Sequence, residues 1–194
     1  MLVLVFGLGA CASDVMGPEP TPPVNSAELD PSASAPLLGG VIRTVLKIVN
    51  SLLGAVVRLN PPTTTTTVVQ WVGPGGGVMR GAGVELRIPS GALRQSTKIT
   101  MTVPAGQYVQ ADFQPHGLKF QKPVELRFDM TGTNAVNGAT DSMVGAYFTA
   151  PIENGVIKAT EVYTATLSRG VVQFKINHFS MYAPARRGYT AAGG

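Results

Sequence analysis

The chain is poor in cysteine, in charge and in long apolar runs. Its single cysteine, Cys11, excludes an internal disulfide framework. Charged residues make up only 13% of the 194 residues, whereas Gly occurs 23 times and Pro 15 times. This composition indicates a turn-rich β-protein more than a helical one. The apolar run at residues 1–10 is too short for a membrane-spanning helix, which needs roughly 17 to 25 residues.

Acidic and basic residues are unevenly distributed. Residues 11–40 contain four acids and neither Lys nor Arg. All fifteen basic residues follow, against seven acids, so residues 41–194 carry a net charge of +8. A basic body behind an acidic segment suits anionic surfaces such as lipid phosphates or acidic polysaccharide. We do not expect nucleic acid as a partner, because the bases are scattered and no aromatic stacking residues alternate with arginines.

The N-terminal run predicts export. Residues 1–10 have the size of the apolar part of a secretory signal, and small residues follow at the point of cleavage. Leu-Gly-Ala-Cys, ending at Cys11, resembles the bacterial lipobox, in which the cysteine thiol receives a diacylglycerol. The resemblance implies lipidation of Cys11 and a lipid-anchored protein of the bacterial cell envelope. Ala12, in place of Asp, implies the outer membrane. Because no Lys or Arg precedes the run, we expect the true start upstream of Met1.

Two different segments follow the cysteine. Residues 11–36 are rich in Ser, Pro and acids and cannot bury enough apolar surface to offset the entropy of ordering, so we expect a semi-extended spacer. Residues 37–60 are mostly Val, Ile, Leu and Ala. Their polar residues recur at helical spacing, at Arg43, Lys47, Asn50, Ser51, Gly54 and Arg58. The pattern predicts a basic amphipathic helix that ends at Asn60-Pro61-Pro62.

This predicted helix has two interpretations. Its wide apolar face would pack on the domain or on another copy, or it would lie in the membrane interface with Arg43, Lys47 and Arg58 toward lipid phosphates. Packing is favoured, because β-branched residues dominate the apolar face and the aromatic residues usual in interfacial helices are missing.

Residues 68–185 show strand-like alternation. Apolar and polar residues alternate at 84–88, 98–103, 124–129 and 172–176. Glu153-Asn154-Gly155 indicates a hairpin turn. Short strands separated by turn residues predict an antiparallel β-sandwich. Residues 63–67 fit either a first strand or a linker, and residues 186–194 predict a loose tail.

Three segments resemble one known family. Ile88-Pro89-Ser90-Gly91-Ala92-Leu93, the stretch at 115–124 and His178-Phe179-Ser180-Met181-Tyr182-Ala183 are similar, in order and spacing, to motifs of the ZU-five domain. This β-sandwich module occurs in zonula-occludens scaffolds, netrin receptors, ankyrins and bacterial envelope proteins. The resemblance covers roughly residues 77–184 and implies binding or scaffolding, with an envelope protein or a polysaccharide as the partner.

One tripeptide has catalytic potential. In some members of the family that the chain resembles, His-Phe-Ser cleaves its own chain before the serine. Ser180 Oγ would attack the Phe179 carbonyl while His178 removes the hydroxyl proton, and water would hydrolyse the resulting ester. A bulge would be required, because neighbouring residues on a flat strand point to opposite faces. In the structural interpretation, His178 and Ser180 form hydrogen bonds while Phe179 fills the core.

Other chemistry is not expected. The two histidines, His116 and His178, have no acid at metal-ligand spacing, so neither a metal nor a cofactor is predicted. The alternation exposes Glu85, Glu125 and Asp129 separately, and they fit a solvated surface better than a glycosidase pair. The sequence therefore predicts a lipid-anchored binding domain. The alternatives are self-cleavage after Phe179 and peripheral membrane binding through the helix.

Overall fold

The computed structural model describes residues 45–46, 51–135 and 142–188, and no α-helix occurs among them. In chain order the strands are β1 (Val45–Leu46), β2 (Ser51–Ala55), β3 (Thr66–Val72), β4 (Gly77–Gly81), β5 (Val84–Ile88), β6 (Thr97–Val103), β7 (Ala111–Gln114), β8 (Lys119–Asp129), β9 (Met143–Phe148), β10 (Val156–Ala159), β11 (Glu161–Thr164), β12 (Thr166–Ser168), β13 (Val171–His178) and β14 (Met181–Arg186).

The strands form two antiparallel sheets. The larger sheet has nine strands in the order β1-β11-β9-β14-β7-β6-β3, and β2 pairs with both β10 and β14 beside this row. The smaller sheet has five strands in the order β12-β13-β8-β5-β4. The prediction of a mainly β, antiparallel protein is confirmed.

Alternation along the strands decides which side chains enter the core. In β5, Val84, Leu86 and Ile88 are buried, whereas Arg87 between them is exposed. β6 repeats this pattern over seven residues. A strand with one apolar face must bury that face, and the polar face then remains in water.

Aromatic side chains from both sheets meet in one core. Phe174 of the smaller sheet lies with its ring centroid 6.3 Å from Tyr182 and 6.0 Å from Tyr163, which belong to the larger sheet. Phe128 stacks on Phe174 from the same sheet. Each such ring stabilises the fold by about 1.5 to 3 kcal/mol through burial. The two sheets therefore share a core that the aromatic residues fill.

The predicted helix over 37–60 is wrong wherever the structure describes it. Ser51–Ala55 is a strand that pairs with β10 and β14, and Val45–Leu46 pairs with β11. Leu53, Ala55 and Val56 are buried in succession. A strand with both faces buried has a continuous apolar sequence. The periodicity of such a sequence does not distinguish it from a buried helix. The spacing of the polar residues was therefore misleading.

The hairpin turn at Glu153-Asn154-Gly155 lies where the sequence predicted it. Glu153 and Val156 form an antiparallel bridge, and Asn154 and Gly155 between them have φ angles of 50° and 75°. The predicted hairpin turn is confirmed.

Position 76, in the loop between β3 and β4, requires glycine. Its φ is +81°, and a Cβ there would lie 2.3 Å from the carbonyl oxygen of Ile88.

Several segment boundaries can be compared with the prediction. Thr66–Val72 is a strand, so the first-strand interpretation holds for this part of the Thr-rich run. β14 ends at Arg186, one residue into the predicted tail. The signal region 1–10, the spacer 11–36 and residues 189–194 lie outside the described residues, and these predictions remain untested.

Candidate functional site

The His-Phe-Ser motif lies where the chain passes from one sheet to the other. β13 of the smaller sheet ends at His178, and β14 of the larger sheet begins at Met181. The pairing of β13 with β8 shifts register between Ile176 and His178. The extra residues lie on β8, where residues 120–123 stand opposite the single residue Asn177, so this distortion is not in the strand that carries the motif.

Phe179 is fixed on all sides. Its side chain is fully buried, stacks on Phe113 at 5.6 Å and meets the edge of Phe120 at 4.8 Å. Its N–H donates to the Leu118 carbonyl at 2.9 Å, and its carbonyl accepts from the Gly117 N–H at 3.0 Å. Packing and backbone hydrogen bonds together hold this peptide in place.

The imidazole of His178 faces the Phe179 carbonyl and an acid. Nδ1 lies 3.4 Å from the Phe179 carbonyl oxygen and 3.2 Å from the Tyr182 hydroxyl. Nε2 lies 3.5 Å from Glu161, which also accepts a hydrogen bond from the Tyr163 hydroxyl at 2.5 Å. Both ring nitrogens therefore have polar neighbours.

The phenols beside His178 are neutral hydrogen-bond donors. Burial raises the pKa of Tyr182 far above its ordinary value, and Tyr163 nearby adds to the shift. Burial also raises the pKa of Tyr163, and the hydrogen bond to Glu161 raises it further. Neither phenol can act as a base near neutral pH.

Ser180 is buried, and its hydroxyl makes no hydrogen bond to any residue that the structure describes. The Ser180 carbonyl instead accepts from the Phe113 N–H at 3.1 Å. His178 is thus aligned with the carbonyl that would be attacked and not with the attacking hydroxyl. The arrangement can polarise the Phe179 carbonyl, but none of the described residues is placed as a base on Ser180. The catalytic roles of His178 and Ser180 remain predictions.

The sequence alone did not single out Glu161, Tyr182 or Gly117 as neighbours of the motif. Glu161 reaches His178 because β11 and β14 both pair with β9, a long-range relationship that no local pattern reports. Gly117 has a φ of +76°, a conformation that glycine adopts readily in turns. A glycine in a turn gives no local signal that its N–H donates to Phe179.

Arg58 is held by the protein. Its Nη1 donates to the carbonyls of Gly106 and Tyr108 at 2.9 and 2.7 Å, and burial lowers its pKa. Backbone carbonyls therefore engage this guanidinium, and contact of Arg58 with lipid phosphates stays a prediction. The side chains of Arg43 and Lys47, and the lipidation candidate Cys11, lie outside the described residues.

Of the acids considered for glycoside hydrolysis, Glu85 and Glu125 form ion pairs with arginines, and Asp129 accepts a hydrogen bond from the Thr131 N–H. Glu85 lies 2.5 Å from Arg80 Nε, 3.3 Å from Arg127 Nη1 and in contact with Arg87. The hydrogen bond from Arg87 lowers the pKa of Glu85, and this outweighs the opposite effect of burial. A carboxylate held ionised by three arginines cannot serve as a general acid.

No metal centre is apparent in the described part of the chain, where no three His, Cys, Asp or Glu side chains converge. His116 Nε2 contacts Asp112 at 2.6 Å on the surface, without a third ligand. Among residues 45–46, 51–135 and 142–188, no helix is long and apolar enough to cross a bilayer.

Among the described residues, the most exposed aromatic side chain lies on the outer face of β3. The side chain of Trp71 is 67% exposed and that of Val69 is 53% exposed. β3 ends the larger sheet, and in the described chain it pairs only with β6. An edge strand with neither charge nor proline lacks the usual protection against association.

Comparison with known proteins gives no match: no family model fits the chain, and no curated protein is significantly similar to it. The resemblance to the ZU-five domain therefore remains a prediction that rests on the quoted motifs.

Proposed function

We propose that this chain is a lipid-anchored protein of the bacterial cell envelope, attached to the outer membrane through Cys11. Its two sheets form a ZU-five-like β-sandwich that binds or scaffolds a partner and turns over no external substrate. The partner is an envelope component, either a protein, a polysaccharide or the membrane itself.

The observation that carries this proposal is the exposed apolar surface of β3. Val69 and Trp71 lie on one face of an uncharged edge strand. Trp and other aromatic residues are enriched at binding surfaces, because they bury a large area at little cost in conformational entropy. Clustered exposure of this kind is typical of an interaction surface.

The geometry of the His-Phe-Ser motif supports binding over catalysis. Phe179 contributes to the core, and its peptide makes hydrogen bonds in both directions. Water would have to reach this buried peptide to complete hydrolysis of an ester. A structural role accounts for all the contacts of His178 and Phe179.

Acylation of Cys11 is the first test. The wild-type chain and Cys11→Ser are produced in a bacterial host with a palmitate analogue in the medium, and both are then fractionated. We expect label and envelope location for the wild type and neither for Cys11→Ser. Because the chain has one cysteine, no second thiol can confuse the result. Equal labelling of both would contradict the anchor.

Partner binding is tested with matched surface variants. Trp71→Ser removes the proposed contact, and Leu52→Ser removes a side chain of similar exposure, 61%, on β2. We expect Trp71→Ser to lose association with native envelopes and Leu52→Ser to keep it. Equal loss, or no loss, would refute the role of β3.

Self-cleavage between Phe179 and Ser180 is the second candidate. One observation favours it: Gly117 N–H and His178 Nδ1 both approach the carbonyl oxygen of Phe179. Donors on a carbonyl oxygen stabilise the charge that develops when the carbonyl carbon is attacked. Its test is the intact mass under denaturing conditions, described in the Discussion.

A further inference from the structure

Trp71 lies beside a lysine on the outer face of the larger sheet. In the pairing of β3 with β6, Trp71 is directly opposite Lys98. Directly opposed residues of an antiparallel pair have neighbouring side chains on the same face. Both side chains are exposed. The single tryptophan of the chain therefore has a cation next to it.

Two more cations reach the same end of the domain through loop contacts. The loop after β3 and the loop after β5 meet where the Gly91 N–H donates to the Pro74 carbonyl at 2.7 Å. Ser90 lies in the loop after β5, and its carbonyl accepts a hydrogen bond from Lys122 Nζ at 2.8 Å. Arg94, in the turn that leads into β6, lies 3.3 Å from the side chain of Gln121. We call Trp71, Arg94, Lys98 and Lys122 the cationic end.

No acid in the described part of the chain neutralises the positive charge of the cationic end. Arg94 contacts a neutral amide and Lys122 a backbone carbonyl, and no acid forms an ion pair with either of them or with Lys98 in the described chain. The sequence has no acid between Asp30 and Glu85, and Glu85 is occupied by three arginines. The cationic end is therefore free to attract an external anion.

We infer that the cationic end is a docking surface for anionic phospholipid headgroups, with Trp71 entering the membrane interface. Tryptophan favours the headgroup region, where its ring is partly in lipid and its N–H in water. Lys and Arg near an anionic leaflet attract it and keep their charges at the phosphates while their stems lie on apolar surface. This inference rests on the proposed envelope function, because a lipid anchor keeps the domain close to a bilayer. It transfers the membrane contact from the wrongly predicted helix to the β-domain.

The test uses Trp71 as its own reporter. The full chain with Cys11→Ser, which cannot be acylated, is mixed with vesicles of phosphatidylglycerol and phosphatidylcholine in equal parts, or of phosphatidylcholine alone. We expect a blue shift of tryptophan emission and quenching by brominated lipid with the anionic vesicles only. Since Trp71 is the one tryptophan, binding through another part of the chain leaves the emission unchanged. An unchanged emission, or an equal shift with neutral vesicles, would overturn the inference.

Charge variants identify the residues. In the Cys11→Ser background, the combination Arg94→Gln, Lys98→Gln and Lys122→Gln is compared with Lys158→Gln, Arg169→Gln and Arg187→Gln, three exposed cations elsewhere. We expect the first set to lower partitioning roughly fivefold for each charge removed, or about 100-fold together. The control set should change it less than threefold, and far-UV circular dichroism should show that both sets fold. Equal losses would overturn the assignment.

Failure of this inference differs from failure of the proposed function. Labelled wild-type protein in the envelope, with no Trp71 response to vesicles, would leave the anchor in place and remove the lipid surface. A response of Trp71 to soluble dextran sulfate but not to vesicles would replace lipid by an anionic polysaccharide. An unlabelled chain would remove the anchor, whatever the vesicles show.

Discussion

The hydroxyl of Tyr182 donates a hydrogen bond to the backbone carbonyl of His178, four residues earlier, at 2.7 Å. The same oxygen lies 3.2 Å from His178 Nδ1. One phenol thus joins the end of β13 to the start of β14 across the crossing between the sheets. Because burial raises the pKa of Tyr182, this donor is protonated at neutral pH.

Removing this hydroxyl should weaken the crossing. Tyr182→Phe removes the hydroxyl donor from the partly buried carbonyl of His178, and we expect a loss of about 1 to 3 kcal/mol in the free energy of unfolding. Urea titration followed by circular dichroism measures it. Tyr147→Phe is the control, because the Tyr147 hydroxyl makes no hydrogen bond to a described residue. Equal effects of both changes would show that the hydrogen bond is not the cause.

Phe179 should be among the most sensitive core positions. Phe179→Ala removes a fully buried ring that contacts Phe113 and Phe120. We expect a loss of about 3 to 5 kcal/mol, as is typical of aromatic-to-alanine changes in cores. The midpoint of urea unfolding measures the loss. The stability of Phe179→Leu should lie between that of the wild type and that of Phe179→Ala. A loss below about 1 kcal/mol would contradict the structural role of the motif.

Neighbouring glycines in the loop after β3 should respond in opposite ways. Gly76→Ala places a Cβ 2.3 Å from the Ile88 carbonyl oxygen at a φ of +81°, whereas a Cβ at Gly75 meets nothing within 4 Å. We expect Gly76→Ala to cost at least 1 kcal/mol through backbone strain. Gly75→Ala should be neutral or stabilise by about 0.4 to 1 kcal/mol, because it restricts the unfolded chain. Thermal unfolding of both variants measures these changes in stability. A more stable Gly76→Ala than Gly75→Ala would refute the loop geometry.

The intact chain should give a single mass. Since His178 lies at the Phe179 carbonyl and no described residue acts as a base on Ser180, we expect no cut between Phe179 and Ser180 on a denaturing gel. Ser180→Ala should look the same as the wild type by mass spectrometry. If the wild type gave two fragments and Ser180→Ala gave one intact chain, self-cleavage would be supported and this expectation contradicted.

Glu85 should contribute to stability above acidic pH. Its pKa in the folded state is lowered from 4.5, first by the hydrogen bond from Arg87. A lowered pKa stabilises the fold above the unfolded-state value, and that contribution is lost as the pH falls through the folded-state pKa. We expect the stability difference between wild type and Glu85→Gln to be largest near neutral pH and to shrink below 4.5. Urea unfolding across this range measures it.

Glu153→Gln is the control for this pH dependence. Glu153 lies 3.9 Å from Lys158, and both side chains are mostly exposed. Exposed pairs of this kind contribute about 0 to 1 kcal/mol. The control should therefore change stability little at any pH. An equal acid dependence of both variants would refute the role of the arginines around Glu85.

Alternation was a reliable guide to the fold, and helical spacing was not. β5 and β6 were readable because each has one face in the core and one in water. β2 was misread because it lies within the larger sheet, where Leu53, Ala55 and Val56 are buried in succession and no polar face marks the strand.

The motif itself was found from the sequence, but its surroundings were not. His178, Phe179 and Ser180 are contiguous, so a short pattern identifies them. Their contacts with Glu161 and Gly117 depend on which strands pair at long range, and local patterns carry little information on this. The cationic end was missed for the same reason, because its residues lie on separate strands and loops.

The position of β14 decides what a broken bond after Phe179 would do. β14 lies inside the larger sheet and pairs with β9 over six residues, with further pairs to β7 and β2. A nicked chain would keep this strand in place through its backbone ladder and the buried ring of Tyr182. The two pieces would therefore migrate as one particle until a denaturant separates them, and a cut at this point could not liberate a diffusible fragment.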